Sequence, residues 1–298
     1  MAAVICGSLA FDTIMTFEGR FAEQILPDQL HILNVSFLVP ALRRDFGGCA
    51  GNIAYCLKLL GGQPLPMATV GSDGAEYIAR LRSLGVDTRW VRELGDTYTA
   101  QAMIMTDRDN NQITAFHPGA MMQAHITKVE RAGDARLGII SPDGRDAMLQ
   151  HAQQFRAADI PFVFDPGQGL PMFDGRELAA FIDQASWVTV NDYEGKMLCE
   201  RTGWSPAEVS RRVEGLVVTL GAEGCEVWIG GGKTIVPPAK PEAVIDPTGC
   251  GDAWRGALLF GLEQGWPLVR CAELGNRVGA IKIASRGPQN YSLAQLAP

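Results

Sequence analysis

The chain has 298 residues, 47% of them hydrophobic and 20% charged, with a formal net charge of −7. This is enough apolar material for one large α/β domain or two ordinary ones, and the acidic balance argues against a general nucleic-acid surface while allowing a local anion site. No apolar run is long enough to cross a membrane, the opening "MAAVICGSLAFD" lacks the features of a secretory signal, and seven cysteines form no CxxC pair. A cytoplasmic protein with reduced thiols and no membrane partner is therefore expected. Four histidines without a second ligand at metal spacing leave no zinc site.

Val4–Cys6 reads as a first apolar strand, with Asp12 just beyond it, where open α/β sheets bind ligands. "GGCAGN", Gly47 to Asn52, precedes a helix marked by Ile53, Cys56, Leu57 and Leu60 and stopped by Gly61 and Gly62. Its paired glycines bring backbone close to a ligand and Asn52 offers a two-way hydrogen-bonding amide, although a plain glycine turn explains the same residues. From Leu137 apolar strands ("LGIIS", "PFVFD", "WVTVN", "GLVVTLG") alternate with helical stretches 145–156, 174–184 and 193–202, as a parallel sheet with covering helices requires. Residues 13–45 and 86–116 break this pattern. In the second of them "TAQAMIMTDRDNNQITAF" alternates around an Asp-Asn-Asn turn like a hairpin, so both stretches are expected to form a lid inserted into a single domain covering 1–298.

"NDYE", Asn191 to Glu194, starts a helix at a strand end, and either capping or the organisation of magnesium-bound water accounts for its amide and carboxylate. "TLGAEG", Thr219 to Gly224, ends another strand with two glycines, as a nucleotide bed or a simple turn would. The most informative stretch is "DPTGCGDAWRG", Asp246 to Gly256, where glycines precede a helix carried by Trp254, Ala257, Leu258 and Leu262. Unpaired N–H groups at a helix start, approachable because glycine has no side chain, make an anion site. On local grounds alone, Asp252 is equally well an acid favourable to the helix dipole.

The order Asp12, GGCAGN, NDYE, TLGAEG, DPTGCGDA resembles the PfkB-type, ribokinase-like carbohydrate and nucleoside kinases along essentially the whole chain. Within them "GSLAFD", "GRFAEQILPDQLHILNVSFLV", "FHPGAM", "DPGQ", "NDYE", "DPTGCGDAWR" and "GPQN" look most like bacterial adenosine kinases. The resemblance implies a three-layer α/β/α domain with a mostly parallel central sheet and a small β-sheet lid. It implies an ATP-dependent enzyme that phosphorylates the 5′-hydroxyl of a purine nucleoside, with adenosine the first expectation. Asp252 would be the base and Gly249, Cys250 and Gly251 the anion hole. Asp12, Gly48 and Asn52 would bind the ribose, and Phe116, Gln168, Ser8 and Ser36 would lie around the base. Asn191 would organise magnesium and phosphates with Glu194, Thr219, Gly221 and Gly224 would face ATP, and Asn276 would lie near its adenine. A homodimer joined through apolar lid residues Ile32, Leu33, Val35, Phe37, Leu38 and Val39 is expected, and a potassium requirement is left open.

Two departures stand out, Cys250 where many relatives have Ala and Trp254 where Phe is usual; both keep the backbone donors and the helix. A free-sugar kinase and a non-catalytic nucleoside sensor are the alternatives. About 34 residues between Asp12 and Gly47 resemble the adenosine kinases rather than free-sugar kinases, and intact Asp252 and glycines argue against a sensor.

Overall fold

Alternation along the first strand shows how the layers arise. In β1 (Ala2–Cys6), Ala3 and Ile5 enter one apolar core while Val4 and Cys6 enter another on the opposite face. The first core is closed by the helices Cys49–Leu59, Ala75–Ser83 and Cys250–Glu263 through Ile53, Leu57, Tyr77 and Leu258. The second is closed by Arg145–Ala157, Gly175–Gln184 and Asp192–Thr202 through Phe155, Phe181 and Leu198. The result is the three-layer α/β/α arrangement. This computed structural model describes residues 2–25, 27–133 and 135–296, so Leu26, in the first expected lid stretch, lies outside the described residues, as do positions 1, 134, 297 and 298 of the expected domain.

Chain order gives β2 (Ala10–Thr16), β3 (Ala41–Gly47), β4 (Gln63–Gly71), β5 (Val91–Leu94), β6 (Ala100–Thr106), β7 (Gln112–His117) and β8 (Ala135–Ile140). It continues with β9 (Phe162–Phe164), β10 (Trp187–Asn191), β11 (Gly215–Thr219), β12 (Cys225–Ile229) and β13 (Gly232–Val236). Nine strands form the large sheet in the order β13-β12-β11-β10-β9-β8-β1-β4-β5, parallel except for the antiparallel β11–β12 and β12–β13 pairs. A second, four-stranded sheet runs β3-β2-β6-β7, with β6 and β7 the hairpin legible in the sequence.

Two boundaries differ from expectation. Val91–Leu94 belongs to the large sheet, pairing in parallel with Ala68–Gly71, so the second contribution to the small sheet begins at Ala100 and not at 86. Its short run buries only Val91, and the backbone groups on the outer side of β4 supply the ladder that local pattern does not reveal. The small sheet also begins at Ala10, which makes Asp12 a residue of that sheet and not of the loop directly behind β1.

Candidate active site

Gly249 caps the Cys250–Glu263 helix in the left-handed region, φ 77°, where a Cβ would meet Pro288 Cβ at 2.6 Å. Only glycine fits that turn without strain. Asp252 follows in the first helical turn. Of the three glycine-loop donors, the Cys250 N–H closes a turn on the Pro247 carbonyl at 3.1 Å. Those of Gly249 and Gly251 make no hydrogen bond among the described residues, and they are the loop's free anion donors.

Behind Asp252 runs a buried chain of hydrogen bonds. Asn52 Nδ2 donates to Asp252 Oδ2 at 2.8 Å. Gln289 Nε2 donates to Asn52 Oδ1 at 3.0 Å and to the Tyr77 hydroxyl at 2.9 Å, and that hydroxyl donates to the Gly47 carbonyl at 2.6 Å. Asn52 therefore reaches Asp252 with its amide already oriented from behind. Burial pushes the Asp252 carboxyl above the ordinary aspartate value, while the Asn52 hydrogen bond and the Arg255 charge oppose the rise.

Arg255, one turn along the same helix, holds the loop from below. Its Nε donates to Asp165 Oδ2 at 2.5 Å, its Nη1 to the Gly251 carbonyl at 3.2 Å, and its Nη2 lies 3.9 Å from Glu194 Oε2. Arg255 and Asp165 are both buried, so each compensates the other's charge. Neither was singled out from sequence, although both sit inside quoted motifs, "DPGQ" and "DPTGCGDAWR".

Asn191 and Glu194 form a reciprocal capping box. Glu194 N donates to Asn191 Oδ1 at 2.7 Å and Asn191 N to Glu194 Oε2 at 2.8 Å. The capping alternative thus accounts for much of NDYE. Glu194 Oε1 has no hydrogen bond among the described residues, which leaves one carboxylate oxygen for a magnesium water shell, a fit for an ion that takes few protein ligands. No cluster of three His, Cys, Asp or Glu that could cage a metal occurs among the described residues.

On the other side of Asp252 the small sheet presents Asp12. Directly opposed residues share a face, so the row Asp45, Asp12, Ala102, Phe116 places Phe116 and Asp12 on one surface, their backbones about 10 Å apart across two strand spacings. Phe116 is 51% exposed and belongs to no core cluster among the described residues, which leaves its ring open to a ligand. Burial, then Asp45, Asp252 and Asp246, push the Asp12 carboxyl up to about 6, with Arg43 opposing. Arg43 lies 3.0 Å from Asp45 and 3.7 Å from Asp246, linking the small sheet to the glycine loop. Gly48 takes φ 81° with its Cβ position 2.5 Å from the Ser8 carbonyl, and Ser8 Oγ accepts from Cys49 N at 3.2 Å. Ser8 is thus a buried bracket for the GGCAGN turn. Ser36 and Gln168 are exposed and make no hydrogen bond among the described residues, so the structure does not draw them into the buried network.

A cavity of about 560 Å³ opens beside the glycine loop. Thr219, Gly221, Gly224, Cys250, Gly251 and Asn276, all singled out from sequence, line it together with Val244, Pro247 and Ile283. Asn276 is held in the cavity wall by two hydrogen bonds. Its Oδ1 accepts from Trp254 Nε1 at 3.0 Å and its Nδ2 donates to the Pro237 carbonyl at 2.8 Å, which fixes the orientation of the amide in the wall.

A glycine loop at a helix start, a nucleotide-sized cavity on one side and a carboxylate-bearing small sheet on the other define a phosphotransferase-like architecture. The sequence signature of the pfkB family carbohydrate kinases matches residues 18–295, and the chain belongs to that family. It is 28% identical to a nucleoside kinase of Methanocaldococcus jannaschii over 97% of this chain and 93% of that protein. The Burkholderia thailandensis nucleoside kinase in complex with inosine is 52% identical, covering 97% of this chain and 93% of that one, with a TM-score of 0.87. The same enzyme in complex with ADP-inosine is 53% identical over 99% of this chain and 92% of that one, with a TM-score of 0.86.

Proposed function

We propose that the chain is an ATP-dependent purine nucleoside kinase acting on the 5′-hydroxyl, with adenosine and inosine as its leading acceptors. The observation that carries this reading is Asp252, half-buried at a helix start with one oxygen fixed by Asn52, between the cavity and the Asp12 face. Asp252 accepts the proton of the attacking hydroxyl as its oxygen bonds to the γ-phosphorus; the bond to the bridging oxygen breaks and ADP leaves. The N–H groups of Gly249 and Gly251 receive charge on the transferring oxygens. ATP fits the cavity lined by Thr219, Gly221 and Gly224. Glu194, oriented by its capping box with Asn191, would accept through Oε1 from the water shell of a magnesium ion, and that ion would neutralise phosphate charge. Asp12 and Asn52 take the ribose hydroxyls, and the exposed Phe116 ring on the same surface as Asp12 offers the base a stacking partner.

The test is an ATP-consumption assay over adenosine, inosine, ribose and fructose with magnesium, with products resolved by chromatography. Nucleoside monophosphate as the main product is expected; preferential turnover of a free sugar overturns the acceptor, and no turnover of any overturns the enzyme.

The outer face of the small sheet supports a homodimer. Leu42, Met15, Met105 and Ile113 form one row across it, with Leu42 63% and Ile113 42% exposed. Nearby Ile32, Leu33 and Leu38 are also exposed, whereas Phe37 is drawn inward against Phe17 and Phe21. So much apolar surface on one small sheet calls for a partner, and a second copy is the natural one. Sedimentation at micromolar concentration is expected to give a dimer that Leu42→Glu converts to monomer; a wild-type monomer overturns the assignment.

A further inference from the structure

Lys282 is fully buried at the last position of the Leu268–Lys282 helix. Its ammonium is held by main-chain carbonyls: Nζ donates to Asp246 O at 2.7 Å and to Ser285 O at 3.3 Å. Asp246 opens the glycine loop, and each of its polar atoms is engaged. Its N–H donates to the Ile283 carbonyl at 3.1 Å, Oδ1 accepts from Thr248 N at 2.9 Å and Oδ2 from Gly287 N at 2.8 Å. The Lys282 ammonium completes the set from beneath. The loop that carries the free Gly249 and Gly251 N–H groups is thereby tied to the helix end and to the 285–287 turn.

Carbonyl oxygens converging on a buried point are the ligands that monovalent cations use. Here the point is filled by a cation tethered to the chain, next to a helix C-terminus that favours positive charge. Potassium, left open by the family resemblance, does not fit at these carbonyls unless it displaces the ammonium.

We infer that the Lys282 ammonium is a built-in monovalent cation that positions the glycine loop for phosphoryl transfer, so that this kinase needs no potassium. The inference rests on the proposed kinase reading. It makes Lys282 a positioning residue, acting on kcat through the loop and not on nucleoside binding.

The experiment compares turnover and melting in potassium chloride with those in tetramethylammonium chloride at equal ionic strength, for wild type and Lys282→Ala. The wild type is expected to turn over within about twofold in both salts and to melt at the same temperature. Lys282→Ala is expected to lose about 10- to 100-fold in kcat in tetramethylammonium with the nucleoside KM nearly unchanged, the scale of a loop displaced by about 1 Å. Potassium or ammonium should restore much of that loss and raise the melting temperature of the variant alone. Wild-type activation by potassium beyond about threefold overturns the inference, as does a variant with full kcat in tetramethylammonium. A folded variant that neither potassium nor ammonium rescues also overturns it. If Lys282→Ala does not fold, the wild-type comparison decides alone, and absence of nucleoside turnover in every salt counts against the kinase reading instead.

Discussion

The two sides of Asp252 are built differently. On the glycine-loop side, Asp165, Arg255, Asp246 and Lys282 are locked by direct hydrogen bonds. On the small-sheet side, Phe116 and Ser36 are exposed and Asp12 sits among like charges. A phosphate has the same shape in every turnover, so its site is best rigid before binding, whereas a site that must admit one nucleoside after another is better left to form around its occupant. The contrast makes a general claim: substitutions on the loop side cost stability or kcat, and those on the sheet side cost KM.

The strongest attempt to break this comparison is Arg255→Met. It leaves Asp165 buried without its charge partner, a loss of about 3–5 kcal/mol, and thermal unfolding should show a large drop in Tm alongside lost turnover. Next comes Asp252→Asn, which keeps the shape and the Asn52 neighbour. It should lower kcat by at least roughly 10²-fold with little change in Tm or nucleoside KM, and near-normal turnover would remove Asp252 from its role. Because burial holds the Asp252 carboxyl above the ordinary value of 3.8, wild-type kcat should fall on acidification before a free aspartate would protonate.

Phe116→Ala should raise the adenosine KM by roughly 5- to 150-fold, the effect of losing about 1–3 kcal/mol of base stacking, while ribose turnover stays nearly unchanged. Equal damage to both substrates would make Phe116 scaffold. The smallest effect sharpens the comparison from the stability side. Asp12 has a folded value of about 6 against 3.8 for a free aspartate, so the native state binds the extra proton between them. Its contribution to stability is greatest at low pH and is lost as pH rises from about 4 through about 6. Asp12→Asn removes that loss and should stabilise the unliganded protein at pH 7 by about 1–2 kcal/mol, a Tm gain of a few degrees, while weakening ribose binding.

Sequence periodicity located the parallel strands β8 to β11, the helices between 145 and 202 and the hairpin of β6 and β7, because burial on alternate residues or every third to fourth leaves a local trace. Glycine and polar residues at element ends made Asp252, Asn52, Asp12 and five residues of the cavity wall conspicuous, whereas Asn276, inside a helix, followed from the family resemblance alone. Three things left no trace. The short β5 carries too few alternations to assign to a sheet. Arg255 meets Asp165 across 90 positions and Gln289 meets Asn52 across 237, distances over which no local pattern acts. Lys282 reads as an ordinary basic residue ending a helix, and only tertiary packing turns it inward.

The chain of hydrogen bonds behind Asn52 has a consequence for genetics. Tyr77 lies in the apolar core and Gln289 in the C-terminal segment, and neither borders the cavity beside the loop. A saturation screen scored for nucleoside phosphorylation should nevertheless place both among the intolerant positions, with Tyr77→Phe costing more in turnover than in protein abundance. An allele of that kind would look like an active-site lesion and map to a residue no substrate ever meets.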